Sequence, residues 1–519
     1  MKFIKKIKLK NFKRFENFEV DFDKKLNLFI GDNEAGKSTI LNAIDFVVSG
    51  SKSKVEKETL ENLFNKNIII SFLDSEKNYF DLPELFIELY LNEQNDHQLN
   101  GKANSSGILC DGLKMICKPM DEYSDEIKTI LEQPESNFPF EYYSTNFTTF
   151  SGEHYTGYNK FLRHIFIDNT MISNKYATKQ YVKSIYESKC ESAIRYKHFN
   201  EYRKFKNKFE NNILDEINDS IDNYDFTIKD NSRSNLETDL TISEDGIELE
   251  NKGKGRQCFI KTEFALNKTN INFDLVLLEE PENHLSHINM KKLINNISES
   301  VGKQMFIATH SNLISTRLDL RKSILLNSNS EIPVLLKNLD NSTAEFFIKA
   351  PDNNILELIL SKKVILVEGD SEYILMNLFF EKIADQKLAD SNVHIISVGG
   401  TSFKRYLDIS KLLNIKTAVI RDNDGDYQSN CVNNYENYID DNIKIFFDNN
   451  NERYTFEVNI YKDNEEICND LFSEGRRTLS VDEYMINNKT DTALKILKEN
   501  PNNFTVSSYI KEAILWIKN

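Results

Sequence analysis

The spacing of apolar and polar positions changes several times along the chain, and these changes predict its elements. Residues 25–30 form a short apolar run and residues 38–48 carry apolar side chains at helical spacing, which predicts a strand, a loop and a helix. Strand character returns at Thr238–Leu249 and at Phe273–Leu278. Beyond about residue 362, apolar runs alternate with helical stretches, and this alternation predicts a parallel α/β sheet.

Between about Ser173 and Ile221 the chain contains neither glycine nor proline. Tyr, Phe, Ile and basic residues recur there at helical spacing, which predicts long helices inserted into a domain. Such basic and aromatic helices are compatible with a grip on nucleic acid and with a packing or dimerisation arm. We favour the arm.

Composition narrows the class of protein. A chain of 519 residues predicts two or three domains, and no apolar run approaches the roughly 20 residues of a membrane span. The six cysteines include no CxxC pair, which is typical of a reducing cytoplasm and argues against a structural zinc. The net charge of −16 argues against a protein that coats nucleic acid non-specifically, but it is compatible with a local basic groove.

A phosphate-binding loop lies at Gly31–Thr39, where the chain has the pattern Gly-x4-Gly-Lys-Ser. Glycines in such a loop turn successive backbone N–H groups towards phosphates, and the following helix adds its positive N-terminal end. Lys37 is expected to neutralise the β- and γ-phosphates of ATP, and the Ser38 hydroxyl to bind Mg²⁺. The predicted nucleotide ligands of the loop are Asn33, Gly36, Lys37, Ser38 and Thr39.

Two carboxylates follow the apolar run 275–278. Glu279 is predicted to hold the water shell of the Mg²⁺ that accompanies ATP, and Glu280 to orient or deprotonate the attacking water. A further strand at 305–308 leads to His310, which we expect to contact the γ-phosphate.

In this order the motifs resemble those of the ABC ATPase superfamily, in its branch of DNA-repair and chromosome-maintenance proteins. The resemblance implies composite sites, in which a signature motif of a second subunit completes the phosphate-binding loop. The usual Ser-Gly-Gly signature is absent, and Gly253 with Gly255, ahead of an apolar helix, is the best candidate for this nucleotide contact. A plain glycine turn is the alternative.

A second acidic group lies in the last third of the chain. Glu368 follows the strand predicted at 364–367, and Asp422 and Asp424 follow that at 418–420. Parallel strands end at one edge of a sheet, so we expect these three carboxylates to converge within a few ångströms. Because carboxylates so close repel one another, the group favours divalent cations, and oxygen ligands favour Mg²⁺ or Mn²⁺.

The glutamate after the first of these strands and the Asp-x-Asp after the third resemble the two defining signals of a Toprim domain. Cysteines of a zinc ribbon are absent, which argues against a primase. An ABC-type ATPase followed by a Toprim domain resembles the OLD (overcoming lysogenization defect) family of ATP-dependent nucleases over essentially the whole chain. This implies an α/β fold with an ABC-type P-loop ATPase domain at 1–358, a helical dimerisation arm inserted at about 172–235, and a Rossmann-like Toprim domain at 359–519.

The resemblance extends to Glu372, to the glycine turn at 397–404, to Asp426, to the segment 453–457 and to Lys511. It implies two Mg²⁺ or Mn²⁺ ions at the Toprim site. Asp422, Asp424, Thr455 and Glu457 would hold one, with Asp426 assisting, and Glu368 and Glu372 the other. Lys511 is expected to stabilise the transition state. Ser480, with Asp482 or Glu483, is a rival for the hydroxyl-plus-carboxylate element of Thr455 and Glu457, which we favour.

These expectations predict an ATP-binding, Mg²⁺- or Mn²⁺-dependent DNA endonuclease with a two-metal mechanism. By resemblance, its partners are DNA, further copies of itself through the ATPase domain and, as in some members, a helicase or a reverse transcriptase with its RNA. Its expected role is bacterial defence against phage, and Lys404 and Arg405 are candidates for contacts to the DNA backbone. Two alternatives stay open: an ATP-switched DNA-binding or sensor protein with a non-cleaving Toprim block, and a topoisomerase-like enzyme that forms a tyrosyl–DNA adduct.

Overall fold

The computed structural model describes residues 1–133, 135–157, 161–171, 174–221, 224–228, 236–266, 273–350, 354–473, 479–501 and 503–518. The chain divides into two compact units, one formed by residues 1–314 and 322–333 and the other by residues 315–321 and 334–519. Among the described residues, no helix combines the length and the apolar character that a membrane span requires.

The first unit contains two larger sheets with helices between their strands. Its strands are β1 (Ile4–Phe12), β2 (Phe15–Asp21), β3 (Leu26–Gly31), β4 (Leu85–Leu91), β5 (Asn100–Gly101), β6 (Cys110–Pro119), β7 (Tyr143–Thr149), β8 (His164–Asp168), β9 (Ser243–Glu244), β10 (Ile247–Glu248), β11 (Leu275–Glu279), β12 (Gln304–Ala308), β13 (Ser323–Asn327) and β14 (Ser330–Leu335). Its helices are α1 (Lys37–Ser49), α2 (Lys52–Glu58), α3 (Leu60–Leu63), α4 (Lys66–Leu73), α5 (Ser124–Leu131), α6 (Lys175–Lys189), α7 (Ser192–Phe209), α8 (Asp215–Asn218), α9 (Leu236–Asp239), α10 (Lys254–Leu266) and α11 (His287–Ser298), and α12 (Asn312–Arg317) crosses the boundary between the units.

The antiparallel sheet of this unit has the strand order β2-β1-β4-β6-β5, with β7 paired to β6. Alternation along β1 explains its place, because Ile7 and Leu9 are buried while Lys6 and Lys8 on the opposite face keep contact with solvent.

The other large sheet has the order β14-β13-β3-β12-β11-β8. Strands β13, β3, β12, β11 and β8 are parallel to one another, and β11 is buried along its whole length, as expected for a central parallel strand. The carboxyl ends of β3, β11, β12 and β8 therefore lie along one edge. This edge carries the phosphate-binding loop and the residues that follow β11 and β12.

The predicted insertion of long helices is confirmed by α6 and α7. Helix α6 buries Tyr181, Val182 and Ile185, whereas α7 buries none of its residues. Parts of the predicted insertion, at 172–173, 222–223 and 229–235, lie outside the described residues. The strand expected at Thr238–Leu249 is largely wrong, since α9 reaches Asp239 and only the two-residue strands β9 and β10 form a hairpin there.

The second unit is built on a parallel sheet of the order β16-β15-β17-β18. Helices α15 and α21 supply much of its core, through side chains such as Phe379, Phe380 and Ile514. Its elements are α13 (Asn341–Lys349), α14 (Ile355–Leu360), β15 (Lys363–Val367), α15 (Asp370–Ala384), β16 (Val393–Ser397), α16 (Phe403–Leu413), β17 (Lys416–Ile420), β18 (Ile443–Phe446), α17 (Phe456–Asp463), α18 (Glu465–Phe472), α19 (Val481–Asn487), α20 (Lys489–Glu499) and α21 (Ser508–Lys518).

Candidate functional site

The phosphate-binding loop connects β3 to α1 and is held in shape by Gly36, whose φ is 97°. A Cβ on Gly36 would stand 2.5 Å from the ring of Phe15, so both the backbone conformation and the space require glycine. Lys37 is buried, and its ammonium donates to the carbonyls of Gly31 at 2.7 Å and Asp32 at 2.9 Å. Burial lowers the pKa of Lys37. The loop thus holds a desolvated cation over its own backbone.

Glu279 ends β11 directly beside this loop. Its carboxylate accepts a hydrogen bond from Ser38, and burial raises its pKa. In the parallel pair β11–β8, Glu279 lies opposite Asp168, so two carboxylates and the Ser38 hydroxyl share one edge. Oxygen ligands in this arrangement suit Mg²⁺.

The segment after β11 is fixed by a network with the segment after β12. Glu282 accepts hydrogen bonds from the Thr309 hydroxyl at 2.7 Å and from the backbone N–H of His310 at 2.8 Å. Glu280 has a φ of 44° and accepts from the Asn283 side chain at 2.5 Å. Burial and the charge of Lys37 lower the pKa of His310, which favours its neutral form. The Glu280 side chain and the His310 backbone are therefore each fixed by a hydrogen bond beside the phosphate-binding loop.

These groups surround a cleft of about 380 Å³, the size of a site for a small ligand. Its lining brings together nearly all the residues predicted for the nucleotide, namely Asn33, Gly36, Lys37, Ser38, Thr39, Glu279, Glu280 and His310, and adds Lys13 and Arg14. Neither Gly253 nor Gly255 is among the described residues that line it. Gly255 opens α10 against the His284 carbonyl, which a Cβ would meet at 2.2 Å, whereas the space around Gly253 is open.

The acidic residues of the second unit follow β15 and β17 at one edge of its sheet, and α17 brings Glu457 to them. Asp422, Glu372 and Glu457 are all buried. Burial, together with the neighbouring carboxylates, raises the pKa of Glu372 to about 7 and that of Asp422 well above its usual range. Burial also raises the pKa of Glu368. Carboxylates forced together in this way are suited to a divalent cation.

The expectation that Glu368, Asp422 and Asp424 act as one set of metal ligands stays a prediction. Among the described residues, no three Asp, Glu, His or Cys side chains already stand in a geometry that holds a metal. Instead, the buried guanidinium of Arg421 bridges Glu368 and Asp424, with 2.6 Å to the latter. Lys489 lies 3.1 Å from Glu457. The physical reason is that clustered carboxylates repel one another, and a nearby cation offsets this repulsion.

The other residues predicted for this site differ in their local contacts and in their exposure to solvent. The Thr455 hydroxyl caps α17 by accepting from the Val458 N–H, which places Glu457 in the first turn of the helix. Ser480 and Glu483, the rival pair, form a capping box at the start of α19. Asp426 is exposed and accepts two hydrogen bonds from Ser429. Lys511 is exposed on α21.

Several residues of both sites escaped sequence reasoning. Asn423 is buried and donates to the carbonyls of Asp448 and Asn450, so it fastens the Asp-x-Asp turn to the loop before α17. Arg421 and Lys489 carry no motif signal, although Arg421 directly precedes Asp422. In the first unit, the side-chain amide of Asn169 is buried beside Glu279 with no hydrogen-bond partner among the described residues, a polar group that a bound Mg²⁺–nucleotide can satisfy.

The DNA-contact candidates Lys404 and Arg405 have internal partners. Lys404 lies over the ring of Tyr435, and Arg405 donates to the hydroxyls of Ser342 and Thr343.

Two family models match separate parts of the chain. The family model described as "AAA ATPase domain" matches residues 1–314, and the model described as "Overcoming lysogenization defect protein-like, TOPRIM domain" matches residues 359–424.

The matched relatives cover only parts of the chain. The Old nuclease of Escherichia phage P2 is 27% identical over 162 residues, which are 29% of this chain and 28% of that protein. The DNA replication and repair protein RecF of Clostridium acetobutylicum is 28% identical over 137 residues, 26% of this chain and 33% of that protein. The chain thus spans a third or less of the length of these relatives. The solved C-terminal region of the Xanthomonas campestris pv. campestris OLD protein is 20% identical with a TM-score of 0.25, and the match covers 31% of this chain and 94% of that one.

Proposed function

Because the chain belongs to the OLD family, whose members join an ATPase domain to a Toprim domain, we propose that it is an ATP-binding, divalent-metal-dependent DNA endonuclease. The observation that carries the proposal is the group of buried carboxylates Asp422, Glu372 and Glu457 at the carboxyl edge of the second sheet, with two of their pKa values raised. Burying such groups is costly, and a site for cations explains the cost.

In the proposed nuclease site, Asp422, Asp424, Thr455 and Glu457 hold one Mg²⁺ or Mn²⁺ and Glu368 and Glu372 a second. Such ions supply a water activated for attack and charge stabilisation for the leaving oxygen of a phosphodiester. Lys489 is the cation that lies beside these carboxylates, and we assign it the stabilisation of phosphate charge. The same role for Lys511 stays a prediction, as does the assisting role of Asp426.

In the proposed ATPase site, Lys37 leaves the carbonyls of Gly31 and Asp32 for the β- and γ-phosphates, and Ser38 with Glu279 holds Mg²⁺. Glu280 positions the attacking water, and neutral His310 contacts the γ-phosphate. Gly253 and Gly255 of a second copy complete the site, so the protein works as a homodimer or a higher homo-oligomer. Binding of ATP then controls assembly or access, and the phosphodiester is broken in the second unit.

We further propose that the protein acts on DNA in the bacterial cytoplasm in defence against phage, alone or with a second component such as a helicase or a reverse transcriptase with its RNA. The Old nuclease of phage P2 among its relatives supports the nuclease part of this proposal.

The test is nicking of supercoiled plasmid in Mg²⁺ or Mn²⁺, with and without ATP. The double variant Asp422→Ala/Asp424→Ala should lower the nicking rate on the order of 100-fold or more. It removes two ligands of the metal ion, and with that ion it removes the stabilisation of charge in the transition state. Asp441→Ala is the matched control, since that carboxylate is exposed and belongs to neither proposed metal position. Nicking that survives the double substitution would rule out this cluster as the nuclease site.

The same experiment addresses the second candidate, an ATP-switched DNA-binding or sensor protein. The pairing of Arg421 with Glu368 and Asp424 favours it, because internally neutralised carboxylates also suit a block that does not cleave. Such a protein would bind DNA in an ATP-dependent manner, and no metal would yield a nick. A covalent tyrosyl–DNA adduct would instead indicate the topoisomerase-like alternative.

A further inference from the structure

Arg421 is the last residue before the Asp-x-Asp turn and one of the least exposed charged residues of the second unit, with 5% of its surface accessible. Its guanidinium donates to Glu368, which follows β15, and to Asp424, which follows β17. The Tyr435 hydroxyl oxygen also accepts a hydrogen bond from this guanidinium. One arginine thus connects the two strand ends that are expected to hold separate cations.

This contact divides the acidic group in two. Glu368 and Asp424 are bound by Arg421, whereas Asp422 and Glu372 are buried together without an ion pair among the described residues. A planar guanidinium binds two carboxylates in a fixed fork, and the oxygens that accept its protons are the oxygens a cation would need. A cation that binds Glu368 must therefore replace Arg421 there or share its oxygens.

The buried Arg421 side chain lacks one of the hydrogen bonds that its N–H groups can donate. Its Nε is buried and has no hydrogen-bond partner among the described residues, so the side chain loses an interaction that water would supply. Displacing the guanidinium into a partly hydrated position regains this hydrogen bond.

We propose that Arg421 is a specificity-determining residue that sets how many divalent cations the site holds. The first ion binds at Asp422 and Glu457, and the second enters at Glu368 and Glu372 only by displacing the guanidinium from Glu368. This inference rests on the proposed function for the class of ligand. The inference goes beyond the proposed function because Arg421, a residue of the chain itself, controls whether the second ion binds.

The experiment is titration of the full chain with Mn²⁺ alone, in the absence of nucleotide, with free Mn²⁺ measured by electron paramagnetic resonance. Ions that Asp422→Ala/Glu372→Gln removes are counted as belonging to the site. The wild type should bind a first ion and then a second with an affinity lower by about tenfold or more. Arg421→Gln should tighten the second ion by about tenfold and leave the first within about twofold.

Arg405→Gln is the matched control, because it removes the same charge from a side chain that binds hydroxyls rather than carboxylates. It should leave both affinities within about twofold. Arg421→Lys keeps a buried charge but cannot bridge two carboxylates, so it should also tighten the second ion. Melting temperatures in EDTA identify a variant that fails to fold, and the lysine variant then carries the test.

A second ion that binds more weakly, or equally, in both Arg421 variants would overturn the inference and make Arg421 a brace of the ligands. In that case the proposed nuclease site still stands, provided that the wild type binds two ions there. If the wild type binds no ion that the Asp422→Ala/Glu372→Gln change removes, the proposed function itself fails.

Discussion

Single residues in the phosphate-binding loop are constrained by both conformation and space, and Gly36 shows how the two can be separated. Gly36→Ala places a Cβ 2.5 Å from the Phe15 ring at a φ of 97°, while Gly152→Ala meets no atom within 4 Å at a φ of 94°. Both changes carry the conformational penalty of about 1 kcal/mol. Only Gly36→Ala should also lose binding of a fluorescent ATP analogue, by about tenfold or more. Equal ATP affinity in the two variants would contradict the assigned geometry.

Asp45 predicts an effect of pH on stability. It is buried on α1 and accepts from Lys54 at 2.8 Å and from His164 at 2.7 Å. Burial alone would raise its pKa, but these partners lower it well below its usual range. A carboxyl with a lowered pKa stabilises the fold above its unfolded-state pKa of about 4, and this stabilisation is lost as the pH falls further.

Asp45→Asn should therefore cost about 3 kcal/mol in urea unfolding at pH 7, and the difference from the wild type should shrink below about pH 4. Asp125→Asn removes an exposed partner of Lys128 and should have little effect at either pH. A cost for Asp45→Asn that is independent of pH would mean that packing, not charge, explains it.

At the residue scale, motifs selected the acidic and glycine positions of both sites but did not predict what these residues contact. The nucleotide residues from Asn33 to Thr39 meet in one cleft because a single loop carries them. Arg421 and Lys489 were missed because a cation's position depends on the fold: Lys489 lies 32 residues after Glu457 and reaches it only through the packing of α20.

At the scale of elements, apolar runs predicted β3, β11, β12, β15 and β17, and helical spacing predicted α1, each to within a few residues, whereas β8, β13 and β18 were not predicted. These elements are buried on one face or throughout, so their apolar spacing reflects the fold. The failure at Thr238–Leu249 has the opposite cause. That segment forms only the hairpin of β9 and β10, and the four residues of these two strands are exposed or half-buried.

Two helix starts offer a test of the hydroxyl-plus-carboxylate assignment. Thr455 caps α17, which carries Glu457, and Ser480 caps α19. Thr455→Ala and Ser480→Ala should each cost about 1 kcal/mol of stability. If Glu457 on α17 is the metal ligand, only Thr455→Ala should slow plasmid nicking, by about tenfold. Slower nicking in Ser480→Ala alone would favour the rival element.

At the scale of the whole molecule, the cleft of one chain contains the phosphate-binding loop but neither candidate signature glycine. A composite site predicts that two defective chains can complement each other. Lys37→Ala removes the phosphate contact, and Gly253→Glu places a negative charge where a partner's nucleotide would lie. Gly253 has open space around it, so the glutamate fits its own chain, whereas Gly255 tolerates no side chain.

Each variant alone should hydrolyse ATP at a background rate, and Gly253→Glu should still bind ATP. After equal amounts are mixed and allowed to exchange subunits, half of the dimers are mixed and each contains one intact site of two. The mixture should therefore recover about a quarter of the wild-type rate. Recovery follows only if one chain's α10 meets the other chain's phosphate-binding loop, because each chain has one defect that its own remaining motif cannot repair. A mixture as inactive as its components would mean that each cleft works within its own chain.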